Sequence, residues 1–330
     1  MSKERASIKD VAELAGVSVG TVSNVLNRPE TVSDRTRTKV EAAMAELRFL
    51  RNASARQLRA GVSTTVGAVL LDLGNPFYTE IARGIEDRLA IEGLTLMLCS
   101  SDEDTQREAN FLRQFAEHGV RGMLVTPLAT TAERLLELRE LGIPSVLIDA
   151  TDDILPTVRV DHVSGGRQAV THLLERGHRR ILFLGDDEHL QQARHRLRGA
   201  VEAVTVAGLS PAEVLVTQSL TSLDAAAGET AILAALEAAG PLPTAVFCIN
   251  DMVALGVLRA LRRRGLGVPD DMAIVGYDDL YWAGELATPL SSVRQPMRQL
   301  GWAAADLLLG DSRPEASTVF APELVVRASS

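Results

Sequence analysis

The sequence predicts an α/β protein: an all-α helix-turn-helix head and a further short helix, followed by a core of two doubly wound parallel sheets. Three observations predict this class. Apolar residues recur at helical spacing on both sides of Gly16-Val17-Ser18. From Gly61 onward, short apolar runs alternate with amphipathic segments, as in parallel sheets covered by helices. The segment 62–330 is too long for one such sheet, so we expect two Rossmann-like lobes.

The first two helices are predicted between Ile8 and Leu26. Gly16 lets the turn between them reach a positive φ, and Ser18 is placed to cap the second helix by accepting from the amides of Gly20 and Thr21. The small polar side chains of the second helix fit a DNA major groove. An ordinary helical hairpin is the alternative for this stretch alone. The apolar positions are Val11, Leu14, Ala15, Val22, Val25 and Leu26.

A third helix is predicted over 36–47, with Ser33 as its N-cap. Its apolar face closes a three-helix head and consists of Val40, Ala43, Met44 and Leu47. A fourth helix of only six residues, 53–58, follows a capping Asn52 and ends before Gly61. Because so short a helix is unstable alone in water, we expect it to form only against a partner.

The core strands are predicted from seven apolar runs, and the core helices from the amphipathic segments that separate most of them. We place the boundary between the lobes at 161–166. The runs are TVGAVLLD, LTLMLCSS, GMLVTP, IPSVLID, RILFLGD, TAVFCIND and MAIVGYDD. The helical segments are 78–92, 105–118, 131–141, 166–176, 194–207, 226–239 and 252–264.

Charge is distributed unevenly along the chain. The net charge is −9, which by itself argues against a nucleic-acid partner. Residues 1–61, however, hold eleven basic and seven acidic side chains, a net of +4, while the remainder holds 23 basic and 36 acidic side chains, a net of −13. A basic head on an acidic body docks one end of the molecule on phosphates.

Enzymatic motifs are missing from the sequence. The six histidines show no metal-ligand spacing, no GxSxG occurs, and no glycine-rich phosphate loop follows a strand. Cys99 and Cys248 each end an apolar run, which favours buried structural thiols. We therefore expect no enzyme, no metal and no cofactor.

The N-terminus MSKERASIKD lacks the apolar region of a signal peptide, and no run of about 18 apolar residues occurs. We expect a soluble cytoplasmic protein. A free sugar-binding protein of the periplasmic type is disfavoured because it would need a signal peptide and would carry no DNA-binding head.

Family-like segments occur in order along the whole chain: IKDVAELAGVSVGTVSNVLN, NASARQLRAG, NPFY, GVRGMLVTP, VDHVSGG, RGHRRILFLGD, PTAVFCINDMVALGVLRAL, VPDDMAIVGYDD, the SSVRQP turn and PELVVR. In these segments the sequence resembles the LacI/GalR family of transcription regulators. The resemblance implies a head (1–50), a hinge helix and linker (51–61), and a core like that of periplasmic sugar-binding proteins (62–330). It also implies an N-lobe of about 62–163 and 293–321 and a C-lobe of about 164–292 and 322–330, joined by three crossings of the chain.

The resemblance also implies how DNA is read. Val19, Gly20 and Asn24 would face base edges, whereas Ser7, Ser18, Thr21, Ser23 and Asn27 would contact phosphates or sugars. Many members have arginine where this chain has Asn24, so we expect an altered operator preference. The implied hinge contacts are Arg51, which replaces the usual proline, together with Asn52, Ala55 and Leu58.

Leu58 takes the place of the leucine that wedges into a minor-groove step, an arrangement that needs two hinge helices packed together. The expected partners are therefore double-stranded operator DNA and a second copy of the chain, without a membrane. No leucine heptads follow to form a tetramer, so we expect a dimer.

An effector site is implied between the lobes, where polar residues follow the strand runs. Carboxylates that accept from vicinal hydroxyls and an arginine that donates suit a sugar-like ligand. Each side chain also has a plainer structural role open to it, such as helix capping by Asn250 or an ion pair of Arg196. The candidate effector residues are Asp72, Phe77, Tyr78, Asp149, Arg196, Leu223, Asn250, Asp278 and Gln295.

Two departures from the family limit the choice of effector. Leu223 stands where many members have a stacking aromatic, so the ligand is stacked less firmly or is not a pyranose. Leu190 and Gln192 replace the arginine and threonine of purine-binding members, which disfavours a purine. A core that responds to a partner protein instead of a sugar is the remaining alternative.

Overall fold

The computed structural model describes residues 6–49, 63–128, 131–185, 190–310 and 317–330. The chain consists of two compact units, Met1–Val62 and Ser63–Ser330.

The head unit contains the three expected helices, α1 (Ile8–Ala15), α2 (Val19–Asn27) and α3 (Asp34–Glu46). The turn after α1 passes through Gly16 at φ 63°, and Ser18 caps α2 by accepting from the amide of Thr21. Ser33 caps α3 in the same way, so α3 begins two residues earlier than predicted. Leu14, one of the apolar positions of the helical pattern, is 46% exposed and does not belong to the buried core of the head. The predicted hinge helix lies outside the described residues.

The core unit contains two six-stranded sheets, each covered by helices, which confirms the α/β class. One sheet has the strand order β11-β5-β4-β3-β1-β2 and defines the N-lobe, and the other has the order β12-β10-β9-β8-β6-β7 and defines the C-lobe. The strands pair in parallel except β12, which runs antiparallel to β10. The strands are β1 (Thr65–Leu70), β2 (Thr95–Ser100), β3 (Met123–Val125), β4 (Ser145–Ile148), β5 (Thr157–Val160), β6 (Ile181–Leu184), β7 (Leu215–Gln218), β8 (Ala245–Cys248), β9 (Ala273–Asp278), β10 (Ser291–Arg294), β11 (Ser317–Phe320) and β12 (Glu323–Val325).

The core helices follow the predicted segments closely, with two additions, α9 and α12. Both lie outside the segments that were predicted to be helical. The helices are α4 (Pro76–Ile91), α5 (Thr105–Glu117), α6 (Thr131–Glu140), α7 (His162–Glu175), α8 (Gln191–Val206), α9 (Pro211–Val214), α10 (Ala225–Glu237), α11 (Asp251–Arg264) and α12 (Met297–Leu309).

The chain passes between the lobes three times, after β5, after β10 and between β11 and β12. The second crossing lies close to the expected position near 292, just after the end of β10. Ser292 lies inside β10 and pairs with Gly276 of β9, so the chain leaves the C-lobe only after Arg294. The SSVRQP segment is accordingly a strand followed by a short connection, not a turn throughout.

Helices α7 and α8 approach each other closely at two glycines. A Cβ atom on Gly166 would lie 2.0 Å from the carbonyl oxygen of Arg196, and a Cβ on Gly199 would lie 2.0 Å from that of Val163. Any larger side chain would force the helices apart. This contact fixes the start of α7, where His162 lies, against the part of α8 that carries Arg196.

Candidate functional site

The exposed face of α2 carries the residues expected to read bases. Val19 is 41% exposed, Gly20 is open to solvent, and the Asn24 side chain is exposed without a hydrogen bond to another described residue. The amide of Asn24 is therefore available to an external partner, and the Val19 side chain can make an apolar contact.

The residues expected to contact phosphates form hydrogen bonds within their own helices. Ser7 forms a capping box with Asp10, and the hydroxyls of Ser18 and Thr21 lie 2.9 Å apart. Asn27 Nδ2 donates to the carbonyl oxygen of Ser23 at 2.9 Å. The expected hinge contacts Arg51, Asn52, Ala55 and Leu58 lie outside the described residues.

In the core unit, one cavity lies between the carboxyl ends of the two sheets. Strand ends are the usual ligand-binding edge of doubly wound sheets. Gln295 lies behind the cavity wall, where its Nε2 donates to Asp278 Oδ1 at 2.7 Å. The other predicted effector residues all line the cavity: Asp72, Phe77, Tyr78, Asp149, Arg196, Leu223, Asn250 and Asp278.

Asp149 follows β4 with a left-handed backbone, φ 58°, and is buried. Its Oδ1 lies 2.7 Å from Nε2 of His162, a buried residue at the start of α7. The other ring nitrogen of His162 faces two donors, the Tyr277 hydroxyl at 3.2 Å and Arg196 Nε at 3.3 Å. Nδ1 must therefore accept, which places the imidazole proton on Nε2, pointing at the carboxylate.

The protonation states agree with this geometry. Burial lowers the pKa of His162 and, together with the nearby charge of Arg196, outweighs the raising effect of Asp149, so the ring is neutral near pH 7. Burial acts to raise the pKa of Asp149, but His162 and Arg196 outweigh it and hold the pKa below its usual range. Asp149 is therefore an ionised acceptor that is held in place by a neutral histidine.

Arg196 is almost completely enclosed, at 5% exposure. Its guanidinium carbon lies 3.7 Å from the centre of the Tyr277 ring, a cation–π contact, and Nη1 donates to the carbonyl oxygen of Ile249. Together with the bond to His162, these contacts fix the plane of the guanidinium at the cavity wall.

Asp278 ends β9 and also has a left-handed backbone, φ 109°. Two buried acceptors, Asp278 Oδ2 and Gln295 Oε1, receive no hydrogen bond from the described residues. Burial raises the pKa of Asp278 to about 7, against the lowering effect of the Arg196 charge. Buried acceptors without donors are costly, and a ligand hydroxyl that donates to them would remove that cost.

Asn250 has the structural role that the sequence left open. Its Oδ1 caps α11 by accepting from the amide of Val253 at 2.8 Å, and its Nδ2 donates to the carbonyl oxygen of Leu223 at 3.0 Å. It still lines the cavity, with one further amide proton to donate.

The N-terminus of α8 reaches across the cavity to the N-lobe. Gln192 Nε2 donates to the Asp149 carbonyl oxygen at 2.6 Å, and Gln191 Oε1 accepts from both the amide and the hydroxyl of Thr151, at 2.7 and 2.8 Å. These bonds tie the two lobes together beside the cavity.

Several residues of the site were not predicted as effector residues from the sequence. Asn75, Glu103 and Ile249 line the cavity, while His162 and Tyr277 lie behind it. Ile249 directly follows β8, a signal that would have found it, whereas Asn75 lies farther from β1, at the N-cap of α4. His162 was considered only as a metal ligand, and no group of three potential ligands suited to a metal occurs among the described residues.

No helix in the described part of the chain is long and apolar enough to cross a membrane.

Comparisons with known proteins agree with the fold. The model of "Bacterial regulatory proteins, lacI family" matches residues 7–52, and that of a "Periplasmic binding protein-like domain" matches residues 170–330. The ribose operon repressor of Bacillus subtilis (strain 168) is 38% identical over 305 residues, which cover 92% of this chain and 91% of the relative.

Two solved structures are similar over most of the chain. The lac repressor dimer bound to operator and the anti-inducer ONPF has a TM-score of 0.84 at 29% identity, covering 99% of both chains. A LacI family transcriptional regulator from Enterococcus faecium with bound ribose has a TM-score of 0.73 at 26% identity, covering 80% of this chain and 98% of the other. By its identity to curated relatives over more than nine-tenths of its length, this chain belongs to the LacI family of bacterial regulatory proteins.

Proposed function

We propose that this protein is a dimeric, cytoplasmic transcriptional repressor whose affinity for its operator is switched by a small sugar-like effector bound between the two core lobes. The observation that carries the effector part is the cavity in which Asp149, Arg196 and Asp278 converge from separate strand ends and a helix. The ribose operon repressor and the ribose-bound structure support a sugar, and the operator-bound lac repressor dimer supports the mode of action.

DNA recognition is assigned to α2 and the hinge. Val19, Gly20 and Asn24 read base edges, and Ser7, Ser18, Thr21, Ser23 and Asn27 position the helix on the backbone. The hydroxyl oxygens of Ser7 and Ser18 already accept from backbone amides as helix caps, which holds these two side chains in place at the starts of α1 and α2. Two hinge helices, each with Arg51, Asn52, Ala55 and Leu58, bind the minor groove together, which makes dimerisation part of DNA binding.

Effector recognition is assigned to the cavity. Asp149 and Asp278 accept from hydroxyls, and Arg196 and Asn250 donate to ring or hydroxyl oxygens. Phe77 and Tyr78, packed edge to face at 4.9 Å, give an apolar wall on the N-lobe side, opposite the smaller Leu223.

The test begins with the purified full chain and a randomised duplex pool, from which an operator is selected. Operator affinity is then measured by gel shift with and without a panel of pentoses, hexoses and disaccharides. We expect at least one sugar to change operator affinity by roughly 5- to 150-fold, the usual range of allosteric coupling. Failure to select any duplex would contradict the DNA-binding proposal, and selection without any response to sugars would contradict the effector proposal.

Matched variants assign the response to the cavity. Asp278→Asn should keep operator binding and lose the sugar response, because it weakens a buried acceptor in the site. Asp270→Asn removes an exposed carboxylate outside the cavity and should keep both.

A further inference from the structure

We propose that the effector cavity selects an uncharged sugar and rejects its phosphorylated or carboxylated counterpart, and that Asp72 and Glu103 are the residues responsible for the rejection. This inference rests on the proposed sugar-responsive function and adds the charge class of the ligand and the residues that determine it.

The cavity wall is strongly acidic. Among the described residues that line it, four are carboxylates, Asp72, Glu103, Asp149 and Asp278, and one is a guanidinium, Arg196. Burial raises the pKa of Asp278 to about 7, so this group is only partly ionised near pH 7, and Asp72, Glu103 and Asp149 supply most of the negative charge that an anionic ligand would meet. A neutral polyol meets no such barrier, and its hydroxyls donate to the same carboxylates.

Arg196 is poorly placed to compensate an anion. Its Nη1 donates to the Ile249 carbonyl oxygen, its Nε donates to His162, and its face is stacked on Tyr277. Strong recognition of phosphate or carboxylate by arginine uses two parallel N–H groups. Because Nε and one N–H group of Nη1 are already used inside the protein, the paired geometry that includes Nε is not available to the ligand, and fewer donors remain than on an exposed arginine.

Helix N-termini, which attract anions, offer little here. The start of α4 is capped by Asn75, whose Oδ1 accepts from the Phe77 amide at 3.0 Å, and the start of α11 is capped by Asn250. The start of α8 has no side-chain cap. Its partial charge of about half a unit is smaller than the excess of full carboxylate charges.

Asp72 and Glu103 differ from the other two carboxylates in position. Asp149 and Asp278 are each 2% exposed and lie within the cavity wall, whereas Asp72 is half-buried and Glu103 is exposed. They follow β1 and β2, which are neighbours in the N-lobe sheet, so both lie at the same edge of the cavity. Asp72 is held there by the amide of Gly74, which donates to its Oδ1 at 2.7 Å. This pair places two negative charges at the mouth of the cavity.

The test compares matched ligands by calorimetry on the full chain: D-ribose with D-ribose 5-phosphate and D-ribonate, and D-glucose with D-glucose 6-phosphate and D-gluconate. In whichever of the two sets, ribose or glucose, the protein binds the neutral sugar, we expect that sugar to bind at least about ten-fold more tightly than its phosphorylated and carboxylated counterparts. Rising salt should shrink this ratio, because exposed charges are screened beyond a Debye length of about 10 Å at 0.1 M.

The double variant Asp72→Asn/Glu103→Gln should reduce the ratio of the two dissociation constants at least five-fold, mainly through tighter binding of the charged ligand. The control Asp270→Asn/Glu140→Gln removes the same two charges from exposed sites outside the cavity and should leave the ratio near that of the parent protein.

The possible outcomes distinguish this inference from the proposed function on which it rests. If no ligand in the panel binds, both the sugar-responsive function and the charge selection are contradicted. If a phosphate or carboxylate binds as tightly as its neutral counterpart, or if both double variants change the ratio equally, the charge selection alone is overturned.

Discussion

His162 donates the proton on Nε2 to Oδ1 of Asp149 across 2.7 Å, and both side chains are buried. The donor begins α7, which packs on a C-lobe helix, whereas the acceptor follows β4 of the N-lobe sheet. The same ring accepts from Arg196. One neutral side chain thus positions the anionic and the cationic groups of the cavity and joins the two lobes behind it.

Replacing His162 should weaken effector binding more than it weakens operator binding by the head. In His162→Phe, Asp149 Oδ1 loses its donor and Arg196 Nε its acceptor, so we expect a 10- to 100-fold lower sugar affinity, equivalent to about 1.5–3 kcal/mol for a hydrogen bond to a charged group. Calorimetry measures the affinity, and a gel shift without sugar should show operator binding retained.

The variant His162→Gln is the control, because its amide supplies a donor at the position of Nε2. It should recover part of the affinity lost in His162→Phe. Equal losses in the two variants would show that ring packing, and not the bond to Asp149, is what the site requires.

The candidate site was predictable where polar residues directly follow apolar runs. The family resemblance implied Asp72, Asp149 and Asp278, and their positions after apolar runs support the prediction, because the carboxyl ends of parallel strands meet at one edge. His162 carries no such signal: its role depends on the approach of α7 to α8 at Gly166 and Gly199, a contact between segments more than thirty residues apart. Tyr277 lies inside a buried strand run, where pattern alone indicates core packing.

The effector-free core should lose stability through Asp278 as the pH rises. Its pKa is about 7 in the folded protein, against 3.8 as the ordinary value, so between these limits the folded state keeps a proton that the unfolded chain has released. Stability therefore falls with increasing pH through this window, by at most about 4 kcal/mol for this group. Asp251, whose pKa burial also raises, acts in the same direction.

Urea unfolding at pH 5, 6, 7 and 8 of the parent protein and of Asp278→Asn isolates this contribution. The parent should lose stability relative to the variant as the pH rises. The lowered pKa of His162 acts in the opposite sense, reducing stability as the pH falls below about 6.5, but it is common to both proteins and cancels in the difference. A difference that stays constant with pH would show that Asp278 titrates normally.

The contact between α7 and α8 should tolerate no side chain at Gly199. In Gly199→Ala the added Cβ would lie 2.0 Å from the Val163 carbonyl oxygen, so the helices must separate, at a cost of roughly 1–3 kcal/mol for an overpacked core. Urea unfolding should show this loss. Val206→Ala, at a position 85% exposed in the same helix, is the control and should change stability by less than about 0.5 kcal/mol. A parent-like midpoint for Gly199→Ala would contradict the tight contact.

The strands that the sequence did not predict are mostly those at sheet edges. β7, β11 and β12 are largely exposed or half-buried, so they lack the continuous apolar run that marks an inner strand. β5 is inside its sheet but has only four residues, interrupted by Arg159. Helix α12 did carry a signal, since Leu300, Ala304 and Leu308 are buried at helical spacing.

Asn24 should determine part of the operator sequence. It is exposed on α2, and its side chain makes no hydrogen bond to another described residue, whereas Asn27 on the same helix donates to Ser23. An asparagine amide pairs with the N6 and N7 atoms of adenine, and arginine pairs with O6 and N7 of guanine. Selection from a randomised duplex pool should therefore give adenine at one position of each half-site for the parent protein, and guanine for Asn24→Arg, with discrimination of about 1–3 kcal/mol per base pair.

The matched control is Asn27→Arg, which adds the same side chain at a position whose asparagine bonds within its own helix. It should strengthen binding without changing the selected base. If the two variants select the same bases as the parent protein, Asn24 does not read DNA, and specificity must come from Val19, the hinge or the shape of the duplex.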